Sequence, residues 1–263
     1  MTSADCSHKP SGLTLALAGC EDRLQMVLGQ PGPDGCVLLA SREWTVPGQS
    51  LRFLIPGLEE TLHGFGTGME GVARIGCVRG PGSFTGLRLI LAAAQGLAAG
   101  RGLPLAGMDY LPLLAEGPAP LAGGTVHVAT YARRGLVYIQ TFAASDRAPL
   151  CPVLSLALKD VPAHLAPHPG PALLLGSGLR RNIAFFTELA AARPGTTLLP
   201  PRFDAPSPQM LLEAACLARY GDGEIEPFYV RPSDAEDNLP QIASQRGLDP
   251  EEAQRRLNDL QRR

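Results

Sequence analysis

The order in which strands and helices follow one another is the feature that most limits how this chain can fold. Periodic apolar patterns and turn residues predict three strands, a helix, a strand and a helix, and this β-β-β-α-β-α order then occurs again. The first series has strands at 13–17, 24–28, 36–40, 74–78 and 103–106 and helices at 50–63 and 84–99. The second has strands at 125–130, 136–142, 153–156, 173–175 and 197–199 and helices at 161–165, 179–192 and 208–220. The repeated order predicts two related α/β lobes.

The predicted helix at 50–63 carries one apolar stripe and one residue that disturbs it. Pro56 lies inside the helical pattern and cannot donate the backbone hydrogen bond of that position. The pattern therefore leaves open a kink at Pro56 or a later start of the helix. The stripe, which has helical spacing, consists of Leu51, Leu54, Ile55, Leu58 and Leu62.

The composition is that of a globular protein that is large enough to fold without disulfide bonds. Hydrophobic residues make up 45% and charged residues 18% of 263 residues, and the formal net charge is -2. This charge disfavours a strongly basic nucleic-acid surface but leaves a local patch open. Six cysteines without a CxxC pair predict buried, reduced thiols.

No stretch of the sequence predicts a membrane or secretion signal. The first ten residues lack the apolar core of a signal peptide. The longest apolar run, at 89–99, is interrupted by Gln95 and Gly96 and is too short to span a bilayer. We therefore expect a cytoplasmic protein.

The segment RGPGSFTGLR, residues 79–88, joins a predicted buried strand to a predicted helix. Backbone N–H groups at such a junction can bind phosphate, and Gly80, Gly82 and Gly86 permit the tight backbone that this needs. The segment has no lysine and matches neither GxxxxGK[ST] nor GxGxxG. Ser83 and Thr85 can instead cap the helix. A structural turn is the favoured interpretation, and phosphate binding is the alternative.

Three other groups of residues are weak candidates for chemistry. His164 and His168 have HxxxH spacing, but Pro167 and Pro169 interrupt the helix that a zinc site of this type requires. We expect no metal site there. His127 is predicted to pack within its strand. As nucleophiles, Ser83 and Ser177 would need a nearby histidine as base, and neither lies in a motif that supplies one. Two arginine pairs, Arg133-Arg134 and Arg180-Arg181, could contact phosphate, but we expect them to be solvated.

The stretch RGPGSFTGLRLILAAAQGLAAGRGLPLAG, from Arg79, resembles the signature of the TsaB (YeaZ) family. Two weaker similarities follow in the family's order, ARRGLVYIQTF at 132–142 and EPFYVRPSDA at 226–235. Members are subunits of the bacterial machinery that makes N6-threonylcarbamoyladenosine at position 37 of tRNA. The resemblance implies an α/β fold of the ASKHA class, the actin-like ATPase and RNase H-like fold, with two lobes built from duplicated β-β-β-α-β-α units.

The resemblance also implies a function, partners and lobe boundaries. It implies a non-catalytic scaffold that pairs with the TsaD-type transferase, helps recruit the TsaE-type ATPase and meets tRNA only through the complex. It further implies a homodimer when alone, no metal, no tightly bound cofactor and at most weak nucleotide binding at a lobe or subunit interface. The lobes are expected at 1–110 and 111–235, with a charged tail at 236–263. The partner interface implied by the family consists of Leu54, Leu58, Ser83, Phe84, Thr85, Leu87, Arg88 and Leu91.

Several family positions carry other residues here. Ala18-Gly19 stands where the family has an Asp-Thr pair, Ser50 where it has a histidine, Tyr131 where it has an aspartate, and Leu136 where it has a glutamate. Each change removes a group that could hold a metal or a nucleotide. The predicted catalytic set is therefore empty. The alternatives are a diverged small-molecule kinase or hydrolase of the same fold, or a self-dimerising interaction protein.

Overall fold

The computed structural model describes residues 12–33, 35–231 and 239–261. The chain divides into two compact units, Met1–Phe228 and Tyr229–Arg263. Within the first unit the described strands form two five-stranded sheets. The duplicated β-β-β-α-β-α order predicted from the sequence is confirmed.

The first sheet has the strand order β3-β2-β1-β4-β5. β1 pairs with β2 in antiparallel fashion and with β4 in parallel fashion. Two long helices, α1 and α2, follow β3 and β4. The bounds are β1 Leu13–Ala18, β2 Arg23–Gly32, β3 Gly35–Thr45, α1 Ser50–Gly64, β4 Val72–Gly80, α2 Phe84–Ala99 and β5 Leu105–Asp109.

The second sheet has the order β10-β9-β6-β7-β8. Its long central pair, β6 and β7, is antiparallel, and β6 is parallel to β9. The bounds of the remaining elements of the first unit are α3 Tyr110–Glu116, β6 Thr125–Arg133, β7 Leu136–Ala143, β8 Leu154–Ala157, α4 Val161–Leu165, β9 Ala172–Leu175, α5 Ser177–Arg181, α6 Ile183–Ala191, β10 Thr196–Leu198 and α7 Pro208–Leu217. Short 3₁₀ turns lie at Met69–Gly71, Ala119–Leu121, Leu158–Asp160 and Pro201–Phe203.

The side chains of β1 show how the first sheet is buried on both faces. Leu13, Leu15 and Leu17 point to the face that α1 and α2 cover. Ala16 and Ala18 point to the opposite face, because successive strand side chains alternate. On that face they belong to a core cluster with residues of α3, α7 and the second sheet. One continuous core therefore connects the two sheets.

The helix predicted at 50–63 begins at Ser50 despite its proline. α1 runs through Pro56 to Gly64, so the helix predicted at 50–63 is confirmed and the alternative of a later start is wrong. The carbonyl group that loses its donor to Pro56 belongs to Arg52. Both residues are exposed, and water can bond to that carbonyl.

Two predictions about the second half of the chain need correction. The single helix expected at 179–192 is two helices, because Asn182 takes a non-helical conformation between α5 and α6. The expectation of only reduced thiols is also wrong. Cys36 of β3 and Cys216 of α7 form a disulfide across 180 residues of sequence. Of the other described cysteines, Cys20 and Cys77 are buried thiols and Cys151 is half-buried; Cys6 lies outside the described residues.

The second unit consists, in its described part, of two helices that pack against each other. They are α8, Leu239–Gln245, and α9, Pro250–Gln261. The helix start predicted at Asp249-Pro250 is confirmed, since the Asp249 carboxylate accepts a hydrogen bond from Glu251 N at 3.0 Å. The expected boundaries at 110 and 235 stay predictions. Of the expected tail, 236–238 and 262–263 lie outside the described residues. None of the helices described is long and apolar enough to cross a membrane.

Candidate functional site

The loop before α2 lies directly against the backbone that follows β1. Ser83 N donates to Cys20 O at 2.6 Å, and Ser83 Oγ caps α2 by accepting from Gly86 N at 3.3 Å. A Cβ at Gly82 would lie 2.1 Å from Cys20 O, and one at Gly86 would lie 2.8 Å from Gly19 O. The glycines are therefore needed for close backbone packing. Because Ser83 N already has a partner within the protein, the geometry favours the structural turn over the phosphate loop.

Gly80 has a separate role at the end of β4. Its φ of 120° is accessible to glycine and strained for other residues. A Cβ there would also meet Phe228 O at 3.0 Å. Phe228 N donates to Arg79 O at 2.8 Å, so the end of the first unit lies along this loop.

The residues predicted as a partner interface divide into a buried and an exposed group. Leu54, Leu58, Leu87 and Leu91 are at most 3% exposed and belong to the hydrophobic core. They pack α1 and α2 against the rest of the core and are not on the surface of this chain. The exposed group consists of Ser83, Phe84, Thr85 and Arg88.

The exposed side of the two helices carries apolar side chains. Leu51 is 38%, Ile55 37% and Phe84 37% exposed. The Arg88 guanidinium carbon lies 3.9 Å from the centroid of the Phe84 ring, a cation–π arrangement that holds both side chains over the first turn of α2. The helical spacing places Leu51 and Ile55 on the same apolar stripe as Leu54, Leu58 and Leu62. The structure puts them at the outer edge of that stripe.

A groove of about 590 Å³ runs along α1. Its apolar lining includes Ile55, Leu62, Met69 and Leu97, and its polar lining consists of Glu59, Glu60 and His63. Such a lining suits an apolar side chain whose neighbours carry positive charge. The groove continues the exposed apolar side of α1 toward the end of α2.

A polar cluster connects the two sheets where β1, β5 and β9 end. The Glu21 carboxylate, after β1, accepts a hydrogen bond from Ser177 Oγ at the start of α5. Tyr110 Oη, at the start of α3, lies 3.2 Å from both Glu21 Oε2 and Asp204 O. Burial raises the pKa of Glu21 to about 7; its two hydrogen bonds oppose this shift, and the charges of Asp204 and Asp22 add to it.

Ion pairs surround this cluster. Arg180 Nε lies 2.7 Å from Asp204 Oδ2, and Gly176 N donates to Asp204 Oδ1 at 3.0 Å. Arg181 of α5 lies 3.2 Å from Asp22, which follows Glu21 in the loop after β1. The β1–β2 loop of the first sheet is thus bonded at two successive residues to α5 of the second sheet.

Sequence reasoning did not find this cluster. Its members come from four distant segments, and neither periodicity nor motif spacing relates Glu21 to Ser177 or Asp204. The one member that the sequence singles out is Ser177, which lacks a base at motif spacing and is therefore not predicted as a nucleophile. In the structure Ser177 Oγ also accepts from Tyr131 N at 2.9 Å, so the hydroxyl is part of a structural contact.

Three histidines, His127, His164 and His168, form a second polar cluster, on the outer face of the second sheet. His127 is fully buried, and its Nδ1 lies 2.9 Å from Thr141 Oγ1, which is 3.3 Å from His164 Nε2. The His168 ring lies 6.1 Å from the His127 ring between centroids. Burial, with the charges of His168, Arg193 and His164, lowers the pKa of His127 to about 3.

The structure shows why HxxxH is not a helical metal motif here. α4 ends at Leu165, before His168, as the prolines predicted. Among the residues that the structure describes, no three histidine, cysteine or acidic side chains are placed to hold a metal ion. His127 packs within its strand, as predicted.

Comparison with known proteins relates part of the chain to one group. The sequence profile of the family TsaD, tRNA N6-adenosine threonylcarbamoyltransferase, matches residues 49–140. The tRNA threonylcarbamoyladenosine biosynthesis protein TsaB of Escherichia coli is 38% identical over 93 residues, which are 35% of this chain and 40% of that protein. TsaB of Haemophilus influenzae is 40% identical over 63 residues, 24% of this chain and 27% of that protein. Each match thus covers less than half of the length of the curated relative.

Solved structures show the same fold over most of the chain. An uncharacterised protein described as similar to the peptidase YeaZ from Pseudomonas aeruginosa superposes with a TM-score of 0.65 at 23% identity, over 84% of this chain and all of that one. YeaZ from Pseudomonas aeruginosa superposes with a TM-score of 0.58 at 20% identity, over 92% of this chain and 97% of that one. The predicted α/β fold with duplicated β-β-β-α-β-α units is confirmed.

Proposed function

Because the chain belongs to the TsaB (YeaZ) family, we propose that it is a non-catalytic scaffold subunit of bacterial tRNA N6-threonylcarbamoyladenosine synthesis. In this proposal it pairs with a TsaD-type transferase and helps recruit a TsaE-type ATPase. It meets tRNA only through the assembled complex.

One observation carries the proposal. The segment that matches the TsaD family profile, residues 49–140, contains both α1 and α2, and these helices expose apolar side chains on their outer side. Exposed apolar residues next to a groove are typical of protein–protein contact sites. We propose that Leu51, Ile55, Phe84 and Arg88 make the contact, with Ser83 and Thr85 at its edge. The four buried leucines hold the helices in position.

The same face of α1 and α2 could form a homodimer when the transferase is absent. A homodimer through α1 and α2 would cover the apolar side chains that the transferase covers in the complex. In this proposal the two assemblies compete, because one surface cannot hold both partners at once.

A catalytic role has less support from the cleft. The residues at the family's acidic positions are Ala18, Tyr131 and Leu136 here. The acids that the cleft does contain are each bonded within the protein: Glu21 to Ser177, Asp22 to Arg181 and Asp204 to Arg180. A kinase or hydrolase would need acids available for a magnesium ion and a nucleotide. We accordingly propose no tightly bound cofactor.

Reconstitution tests this function. The TsaD-type and TsaE-type proteins of the same organism would be supplied with tRNA and the threonylcarbamoyl donor, with and without this chain. We expect modified tRNA only when the chain is present and no product from the chain alone. Full modification without the chain would contradict the proposal, and ATP turnover by the chain alone would favour the alternative of an enzyme.

A further inference from the structure

We propose that one end of the second sheet binds the phosphate backbone of RNA, so that this chain adds a contact of its own to a tRNA that the complex holds. That the RNA is a tRNA rests on the proposed function, whereas phosphate binding rests on the residues themselves. The surface, named the hairpin patch, consists of Tyr131, Arg133, Arg134, Lys159 and Arg181.

The β6–β7 hairpin brings three of the cations together. Arg133 ends β6, and Arg134 lies in the turn that leads to β7. In the same turn, Gly135 O accepts a hydrogen bond from Leu158 N at 3.1 Å. This contact places Lys159, the next residue, beside the turn.

Arg181 of α5 joins the patch through Tyr131. β6 is parallel to β9 and α5 follows β9, so the end of β6 and the start of α5 meet at one end of the sheet. Tyr131 N donates to Ser177 Oγ at 2.9 Å, and the Arg181 guanidinium carbon lies 5.3 Å from the centroid of the Tyr131 ring. The ring is half-buried. An aromatic ring among arginines is a combination on which RNA bases stack, and this favours RNA over an acidic protein surface.

The patch is positively charged, although the whole chain has a formal net charge of -2. All four of its cations are exposed, Arg181 by 61% of its side chain. Two acids adjoin them: Asp22 lies 3.2 Å from Arg181, and Asp160 follows Lys159 in sequence. The pair of Arg181 and Asp22 is exposed on both sides and so contributes little to stability, and a phosphate can replace the carboxylate.

Two residues make the hairpin more positive than the family pattern. Tyr131 stands where that pattern has an aspartate, and Leu136 stands where it has a glutamate. Both flank the arginine pair, and Leu136 lies opposite Arg133 in the β6–β7 ladder. This chain therefore lacks two negative charges that would repel a phosphate backbone.

The experiment titrates a fluorescently labelled, unmodified tRNA transcript with the full-length chain alone and follows the fluorescence anisotropy at about 50 to 200 mM salt. We expect weak binding, and the logarithm of the association constant should fall against the logarithm of the salt concentration with a slope of about -2 to -3, as three or four phosphate contacts give. In Arg133→Glu/Arg134→Glu the affinity at the lowest salt should fall at least about tenfold, and the slope should shrink by about 1 to 2.

Arg101→Glu/Arg219→Glu is the matched control, because it changes the net charge equally at two exposed arginines outside the patch. This variant should bind tRNA within about twofold to threefold of the unmodified chain. An equal loss in both double variants would show that net charge and not the hairpin patch determines binding. That result, or no binding by the unmodified chain at the lowest salt, would overturn the inference.

A second variant leaves the arginines unchanged. Leu136→Glu puts an acid beside the arginine pair at a half-buried position, and circular dichroism checks that the chain stays folded. We expect several-fold weaker tRNA binding, and an unchanged affinity would contradict the role of the missing acid.

These titrations need no transferase, so they separate the two proposals. Assembly with the transferase but no tRNA binding by the chain would overturn only the hairpin patch. Binding through the patch without assembly would overturn only the proposed function.

Discussion

At the scale of single residues, Gly82 shows how closely the loop before α2 approaches its neighbour. Replacing Gly82 with Ala puts a Cβ 2.1 Å from Cys20 O, and neither backbone can yield without moving α2 or β1. We expect a loss of about 1–3 kcal/mol in the free energy of unfolding. Denaturant titration followed by circular dichroism measures it.

Gly96 is the matched control for Gly82. It lies inside α2, and a Cβ there would have no heavy atom within 4 Å. Gly96→Ala should stabilise the protein by up to about 1 kcal/mol, since alanine has the higher helix propensity. If the two variants had equal stability, the close packing of the loop would not explain its glycines.

His127 makes the stability of the second lobe depend on acid. Above the ordinary imidazole pKa of 6.5 the ring is neutral in the folded and the unfolded chain, and its contribution is complete. Between 6.5 and about 3 the unfolded chain binds a proton that the folded chain excludes. The free energy of unfolding should therefore fall as the pH drops through this range.

The test compares unfolding at pH 7 and pH 5 in the unmodified protein and in His127→Gln. The unmodified protein should lose up to about 1.4 kcal/mol per pH unit more than the variant over the titration range. Glu21 titrates with the opposite sign but is present in both proteins, so its effect cancels in the difference. Identical pH dependence in His127→Gln would mean that the buried ring is not responsible.

At the scale of elements, α1 has a buried face and an exposed apolar face next to each other. Leu58 is 2% exposed and Ile55 37% exposed, although they are three residues apart on the helix. Leu58→Ala should lower the free energy of unfolding by about 2–5 kcal/mol because it leaves a cavity. Ile55→Ala should change it by less than about 1 kcal/mol. Thermal unfolding of the two variants distinguishes them, and a larger loss for Ile55→Ala would contradict the assignment of the faces.

The element predictions succeeded where local chemistry determines the structure. α2 spans Phe84–Ala99 as predicted, because Ser83 caps its start and glycines follow its end. They failed where the backbone conformation of a single residue determines whether a helix continues. The break between α5 and α6 depends on Asn182, whose side-chain Nδ2 donates to Gly178 O at 2.9 Å. Apolar periodicity does not predict that contact.

The predicted interface stays a prediction, and for a similar reason the sequence did not show which of its residues are exposed. The family pattern identifies the helices, but it does not give the rotation of each helix about its axis. Leu87 and Leu91 are one turn apart and both point into the core, whereas Phe84 and Arg88, also one turn apart, are exposed. The exposed side could be assigned only once the helices were seen packed on the first sheet.

At the scale of the whole molecule, contacts between distant segments could not be predicted from the sequence. The repeated order of elements predicts two lobes, but it does not bring Glu21 to Ser177, 156 residues away, or pair Cys36 with Cys216. It also does not place α7, late in the chain, against β1 of the first sheet. These contacts join the two sheets into one unit and shape the cleft between them.

The central claim is that the exposed side of α1 and α2 binds a TsaD-type subunit. The most direct measurement is light scattering of an equimolar mixture of this chain and the TsaD-type protein of the same organism. It would be run with the unmodified chain, with Ile55→Glu and with Ile183→Glu, a control on α6 whose side chain is 49% exposed. We predict a 1:1 complex for the unmodified chain and the control, and separate species for Ile55→Glu. A complex that forms equally well with Ile55→Glu, or no complex with any of the three folded chains, would contradict the account.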